Sequence, residues 1–400
     1  KGQYYCPNQQ ASATTETPAA PQTPASDAKE SASVDAPSEA DEEKEELTPA
    51  FKLMLFADAY YAYSTAQRGT PAPYHRDWYR DNGFSLAFVG IDASYSAKRW
   101  GATMSLRFGP GVLSYYGYSA AAATAAPSAD GEPPNPVNLG PYGFGIGNLF
   151  QGYVTWKPIK KLELDFGQFY APFGVEVPES WRNLTYTRGA NFFAIVPFWH
   201  TGLRATYRFT DQLSLTGLAV NGVNTIIGTS FEPMLGGTFA YDNGTFAAAL
   251  GYLGSLKPSL EASGYFHHYG NLVLKLTLGD FKIFSDTNVI YNVDSDSATF
   301  GEALTMGYDF VKAFGVALRG EYQRNDDGAI PFTPVPSYNL YTGTLTLDVR
   351  PVRGSTNLVI RLDNRIEHSN QDLFFNSDGG AAQTWYSAVL GVVANTEVMF

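Results

Sequence analysis

A single cysteine, Cys6, stands in 400 residues. It excludes an intrachain disulfide and any cysteine-based metal cluster. Lying sixth rather than at the start, it reads as a free thiol and not as a lipid anchor. The sequence also lacks any run of 18 uninterrupted apolar residues, so no helix in it is long and greasy enough to cross a bilayer. Positive charge is scarce: 27 Lys and Arg face 39 Asp and Glu, a formal net charge of −12. With no basic stripe, nucleic acid is excluded as a partner. No GxSxG elbow is present and Cys6 has no catalytic context, which disfavours an enzyme. His267-His268 reads as an exposed pair in an outer loop without a third ligand, so no metal is expected. Asp294-Val-Asp-Ser-Asp-Ser lacks the central Gly and terminal Glu of a calcium loop and reads as a solvated turn. Neither cofactor nor metal follows from these residues.

Aromatic residues and glycine are plentiful instead, with 26 Tyr, 27 Phe and 39 Gly. From about residue 51 to Phe400 the apolar-alternating segments are joined by links that take turns being short and long. Ala97–Arg99, Lys157–Lys160, Thr210–Asp211, Asp242–Asn243 and Gly279–Asp280 are short. Ser64–Gly83, Pro110–Ile146, Ala171–Trp199 and Asn325–Ser337 are long. A soluble sandwich has no reason to sort its loops by parity. Antiparallel strands crossing an outer membrane do, with tight periplasmic turns and long external loops. The fold class is therefore all-β: a transmembrane antiparallel up-and-down barrel of about 16 strands. A mean hydropathy of −0.18 agrees, because half of every strand faces a polar lumen.

Residues 1–50 are a different material, rich in Ala, Pro, Ser, Thr and Glu. Three lysines against ten carboxylates give this segment −7 of the total charge. It cannot bury enough apolar surface to offset the entropy of ordering. It reads as a disordered periplasmic tail; docking on a periplasmic partner or entering the pore from below are the sharper alternatives. The chain opens at Lys1 without a basic-then-apolar leader, as a mature chain freed of its signal peptide would.

Alternation assigns the faces. In 100–108, Trp100, Ala102, Met104, Leu106 and Phe108 point to lipid, and Thr103, Ser105 and Arg107 to the lumen. Ala87, Val89, Ile91, Ala93 and Tyr95 form the lipid face of the second strand. Arg204 and Arg208 point inward from the sixth, and Arg361, Asp363 and Arg365 from the fifteenth. The inward inventory holds nine basic residues (Lys52, Arg107, Arg204, Arg208, Lys275, Lys282, Arg319, Arg361, Arg365). Ten acidic ones answer them (Asp58, Asp92, Glu163, Asp165, Asp286, Asp309, Glu321, Asp348, Asp363, Glu367). Neither sign dominates, so the wall is no strong ion filter. Paired carboxylates such as Glu163 and Asp165 fit a wet wall better than glycoside hydrolysis.

The third external link, 171–199, is unusually apolar for an exposed loop and should pack inside the lumen, with capping of the outer rim or of a neighbouring subunit as the alternative. There it would narrow the passage, bringing Glu176, Glu179, Arg182 and Arg188 to the narrowest point. A transverse field of Glu176 and Glu179 against Arg107, Arg361 and Arg365 is one expectation. Simple pairing of these charges along the wall is the other.

The run GYVTWKPIKKLELDFGQFYAPFGVEVPESWRN (152–183), TYTRG (185–189), PFWHTGLRATYRF (197–209) and AVNGVN (219–224) resembles the beta-barrel porin-2 family of bacterial outer membranes. FADAYYAYS (56–64) and RLDNRIEHSN (361–370) resemble it at corresponding places. The resemblance covers about 51–400 and leaves the acidic tail out. It implies a porin-like barrel, with no assigned solute and no catalytic residues. The expected function is passive diffusion of small hydrophilic solutes through a barrel set in outer-membrane lipid. A structural or adhesive barrel with a plugged lumen is the alternative. Monomer and homo-oligomer both stay open, with strands eight and nine (Gly237, Ala248) as a candidate contact sector.

Overall fold

The computed structural model describes residues 49–65, 82–112, 115, 146–226, 233–255, 267–326, 335–353 and 356–400. The tail expected over 1–50, with Cys6, lies outside them except for its last two residues. Among the described residues eighteen strands follow in chain order: β1 (Ala50–Ser64), β2 (Gly83–Ser96), β3 (Trp100–Phe108), β4 (Leu149–Ile159), β5 (Leu162–Tyr170) and β6 (Trp199–Arg208). Next come β7 (Leu213–Val220), β8 (Met234–Asp242), β9 (Phe246–Ser255), β10 (His268–Leu278), β11 (Phe281–Asn292) and β12 (Ser297–Val311). Then follow β13 (Phe314–Asn325), β14 (Tyr338–Val352), β15 (Thr356–Ser369), the two-residue β16 (Phe374–Phe375) and β17 (Ala381–Ala382), and β18 (Thr384–Met399). Sixteen of them close into one antiparallel barrel, each beside its sequence neighbour, with β18 sealing against β1; β16 and β17 form a separate hairpin.

Closure is set at the chain ends, where Phe51 and Phe400 exchange both backbone hydrogen bonds. Among the described residues the barrel itself leaves no strand edge unpaired, as a medium without water requires. The alternation is as expected over most strands. On β5, Phe166 is 71% exposed beside Asp165 at 1%. Tight turns connect one rim, as in the two-residue link 279–280, where Gly279 takes a φ of +62° that glycine adopts without strain.

Two expectations need correction. On β2, Ala87 does not face lipid with Val89. Asp58 pairs with Phe88 and Ala59 with Leu86, so Ala87 is an extra residue in a bulge. A bulge reverses the phase of the side chains on its far side; Phe84 and Leu86 are exposed and Ala87 is buried. The loop parity also has one exception. β11 and β12 run further than alternation suggested, leaving only residues 293–296 between them on the long-loop rim.

His267 and His268 likewise do not form an exposed pair. His267 is buried, with its Nδ1 accepting from the Val293 amide at 2.9 Å. His268 begins β10, its ring stacked against Tyr252 and Tyr291.

Candidate functional site: the lumen and the loop that crosses it

The link between β5 and β6, residues 171–198, folds into the barrel. It carries a short 3-10 turn (Ser180–Arg182) and a five-residue helix, α1 (Ala190–Ala194). Its apolar end anchors against the β1–β6 side. Phe193 and Phe198 lie 5.2 and 5.1 Å from Tyr115, and Trp199 sits 5.5 Å from Phe150. Phe88, Phe150 and Trp199 are fully buried there. On the β9–β10 side, Phe173 packs 5.1 Å from Tyr269 and over Gly251, whose missing Cβ makes room for the ring.

The polar middle of the loop is bound to the opposite walls. Asp58 of β1 accepts from Ser180 Oγ and Tyr186 Oη, both at 2.6 Å. Asp363 of β15 accepts from the Tyr186 amide at 3.2 Å and from the Thr187 amide and hydroxyl at 2.8 and 2.9 Å. Arg319 of β13 donates to Glu176 and Thr185 Oγ1 at 2.6 Å and to the Thr187 carbonyl at 2.7 Å. Arg361 donates to the Ser180 carbonyl at 2.7 Å, and Arg365 to the Arg188 carbonyl at 2.8 Å. Asp286 of β11 takes the Val175 amide at 2.8 Å. Backbone amides and carbonyls of an irregular segment need partners once away from water, and the wall's alternating carboxylates and guanidiniums supply them.

The four predicted loop residues are distributed around the lumen rather than gathered at one point. Glu179 pairs with Arg107 and accepts from Tyr170 Oη at 2.8 Å. Burial opposes its charge, but Arg107 and Arg182 prevail and hold it well below the usual carboxylate range. Arg182 lies 3.6 Å from Asp92 of β2. Arg188 is buried and donates to the Tyr186 carbonyl at 2.9 Å. Glu176 sits against Arg319, so its partner is not Arg361 or Arg365 as the field hypothesis had it.

The predicted wall residues face inward, and they are paired. Arg204 binds Asp165 at 2.8 Å, Arg208 is 3.9 Å from Glu163, Arg361 is 3.2 Å from Asp348, and Arg365 pairs with Glu367. Arg361 and Arg365 thus pair along the wall, while the loop carboxylates Glu179 and Glu176 pair with the wall arginines Arg107 and Arg319. Arg107 also lies over Phe56, 4.7 Å from the ring centre.

Sequence reasoning missed several contributors. Arg350 pairs with Asp309 and continues the wall below Arg361; it was lost because β14 runs past the expected end at 349. Asn183 braces the loop on itself, accepting the Val177 amide at 2.9 Å and donating to its carbonyl at 2.7 Å. Tyr186 packs on Gly391 of β18, where a Cβ would collide with its ring. Gly391→Val is therefore expected to cost about 1–3 kcal/mol through overpacking, read as a lower urea midpoint of the refolded barrel; an unchanged midpoint would show the ring is free to move.

A closed sixteen-stranded barrel with an inward-folded third loop and a charged, hydrogen-bonded wall defines the porin class of β-barrels. The family model described as "Putative beta-barrel porin-2, OmpL-like" matches residues 50–394, and the chain belongs to that family. No curated protein matches it. Among solved structures it is similar to the anion-selective porin from Comamonas acidovorans, with a TM-score of 0.54 and 13% identity over 87% of this chain and 100% of that one. The outer membrane channel DcaP of Acinetobacter baumannii gives 0.52 and 13% over 87% and 97%. Salmonella typhi OmpF, solved with daunomycin, gives 0.52 and 13% over 86% and 97%. At such identities the likeness concerns the fold.

Proposed function

We propose that this protein is an outer-membrane porin passing small hydrophilic solutes, with loop 171–198 setting the narrowest point. The single observation that carries the reading is the loop's docking across the lumen on β1, β11, β13 and β15. Glu176, Glu179, Arg182 and Arg188 line the constriction. Arg107, Arg204, Arg208, Arg319, Arg361, Asp363 and Arg365 form the wall. Because basic and acidic wall residues are balanced and mutually paired, selection is by size with modest electrostatics. The anion selectivity named for the Comamonas porin therefore does not carry over to this wall. Residues 1–50 act as a periplasmic tether, with docking on a periplasmic partner as the variant reading, and the barrel exterior is solvated by outer-membrane lipid.

One observation favours a second reading, a plugged structural or adhesive barrel. Arg319, Asp363 and Arg365 are each buried to within 1% of completely, which suits a closed lumen. Single-channel recording in planar bilayers separates the two, with the full chain and with residues 1–50 removed. Steady ohmic conductance rising with salt is expected of the full chain. Conductance appearing only after truncation would make the tail a plug. A folded barrel silent in both forms sinks the porin reading.

A further inference from the structure

Fixed charge is sorted unevenly along the tight-turn rim. The turn 97–99 between β2 and β3 carries Lys98 and Arg99, and the turn 160–161 between β4 and β5 is Lys160-Lys161. All four side chains are exposed. The acids nearest to them in sequence, Asp92 and Glu163, turn inward to Arg107 and Arg208. The three turns that follow along the rim bring aspartate instead: Asp211, Asp242 at the end of β8, and Asp280.

The two basic turns form one surface. β3 and β4 pair side by side between them, and the Lys157 amide donates to the Arg99 carbonyl at 2.8 Å. Two strands at about 4.8 Å each set the turns about 10 Å apart. Lys161 Nζ donates to the Phe209 carbonyl at 3.3 Å, which keeps it at the rim. On the lipid face just above, Trp100 and Trp156 are cross-strand partners, 52% and 57% exposed, with Tyr95 4.7 Å from Trp100. Exposed indoles of this kind mark the boundary between hydrocarbon and water. Lys98 and Arg99 lie directly beyond Trp100 in the chain, and Lys160 and Lys161 directly beyond the exposed Ile159. The cations therefore stand at the level of the headgroup phosphates.

We propose that the turns 97–99 and 160–161, with Trp100 and Trp156 above them, bind an anionic phospholipid of the periplasmic leaflet. Each turn offers two cations to one phosphate through charge-assisted hydrogen bonds. The spacing of the turns suits a lipid with two phosphates, one on each. Its acyl chains would lie on the lipid face of β4 and β5, where Val154, Ile159 and Phe166 are each more than half exposed. Clustered basic residues at a membrane surface select anionic headgroups over neutral ones, and the aspartates of the next three turns confine the site to this sector. The acidic run 39–46 is the competing occupant, since it ends four residues before Ala50, which pairs with Ser96 beside the first turn. The inference rests on the outer-membrane placement proposed above and not on conduction. A silent barrel that selects the lipid would sink the porin reading alone, and a conducting barrel indifferent to headgroup charge would sink this site alone.

The test is native mass spectrometry of the full chain in mild detergent, titrated with cardiolipin, phosphatidylglycerol and phosphatidylcholine of matched acyl chains. Folding is checked by heat-modifiable gel migration. Cardiolipin should be retained at least tenfold more tightly than phosphatidylcholine, with phosphatidylglycerol between them. Replacing Lys98, Arg99, Lys160 and Lys161 together by Gln should reduce that preference to less than twofold. The two turns are also neutralised separately, so that a folded variant remains to be read, and each should lose part of the preference. Lys312→Gln with Arg353→Gln, which removes two cations elsewhere on the rim, should leave it intact. Equal retention of the three lipids overturns the proposal, as does a preference that survives in the fourfold variant. A preference that appears only once residues 1–50 are removed gives the site to the acidic run instead. Inorganic phosphate that displaces cardiolipin at equal concentration gives it to a soluble anion, and either result refutes the lipid site.

Discussion

Arg319→Ala is expected to undock loop 171–198 and raise single-channel conductance several-fold. The guanidinium is fully buried and holds three groups of the loop at once, Glu176, Thr185 and Thr187, while also binding Glu321 at 3.2 Å and Thr344 at 3.3 Å. Removing it strands two carboxylates, Glu176 and Glu321, near one another and away from water. Breaking a buried pair from one side costs about 3–5 kcal/mol, because the remaining charge is left uncompensated. That is several times what any single remaining hydrogen bond of the segment contributes, at about 1 kcal/mol each. Arg319→Lys should fall between, since one ammonium cannot reproduce the fork that serves loop and wall together. Trypsin cleavage after Arg182 or Arg188 supplies an independent readout and should accelerate in the alanine variant. Conductance and cleavage both equal to those of the parent would show that the aromatic anchor alone seats the loop.

The barrel was legible in the sequence because its signals are local. Period-2 alternation, as in Trp100 to Phe108, is written in adjacent residues, and link length is read by counting. The position of loop 171–198 could be read from its composition for the same reason, since 28 residues rich in Phe, Val and Pro have no business in water. What could not be read was which wall residue meets which loop residue. Glu176 reaches Arg319 across 143 positions of sequence, and Ser180 reaches Asp58 across 122. Such pairs depend on how strands climb around the ring, which no local pattern encodes. The Ala87 bulge was hidden similarly, because one inserted residue leaves alternation intact on either side and shows itself only in the pairing of β1 with β2.

The dense pairing of the wall has a consequence for what the lumen can discriminate. A guanidinium already held by Asp348 or Glu367 offers a passing ion little net field, so in the porin proposed above discrimination should follow the space the loop leaves. Anything that loosens the loop would then act on size and rate before charge preference. Arg319, with three hydrogen bonds to the loop, is where we place this coupling.

Acidity should act through that site. Glu176 is the loop carboxylate whose proton affinity burial raises most, to about 7, with Arg319 opposing the rise and Glu321 adding to it. Arg188 also favours its charged form, as does the Gly189 amide, which donates to Oε2 at 2.7 Å. Undocked, the carboxyl titrates at its ordinary value near 4.5. The docked loop thus holds a proton that the free loop has lost between those two values. Docking stability is fully present below about pH 4.5, declines as pH rises, and is lost through about pH 7, for a total on the order of 3 kcal/mol. Conductance should accordingly climb between pH 5 and 7.5 and level off above. Glu176→Gln mimics the protonated form and should stay at the low, acid-side conductance throughout, because its neutral amide keeps an acceptor for Arg319 while removing the like charge beside Glu321. A native channel whose conductance is flat from pH 5 to 8 would defeat this account. A glutamine variant that keeps the native slope would instead assign the titration to another carboxylate.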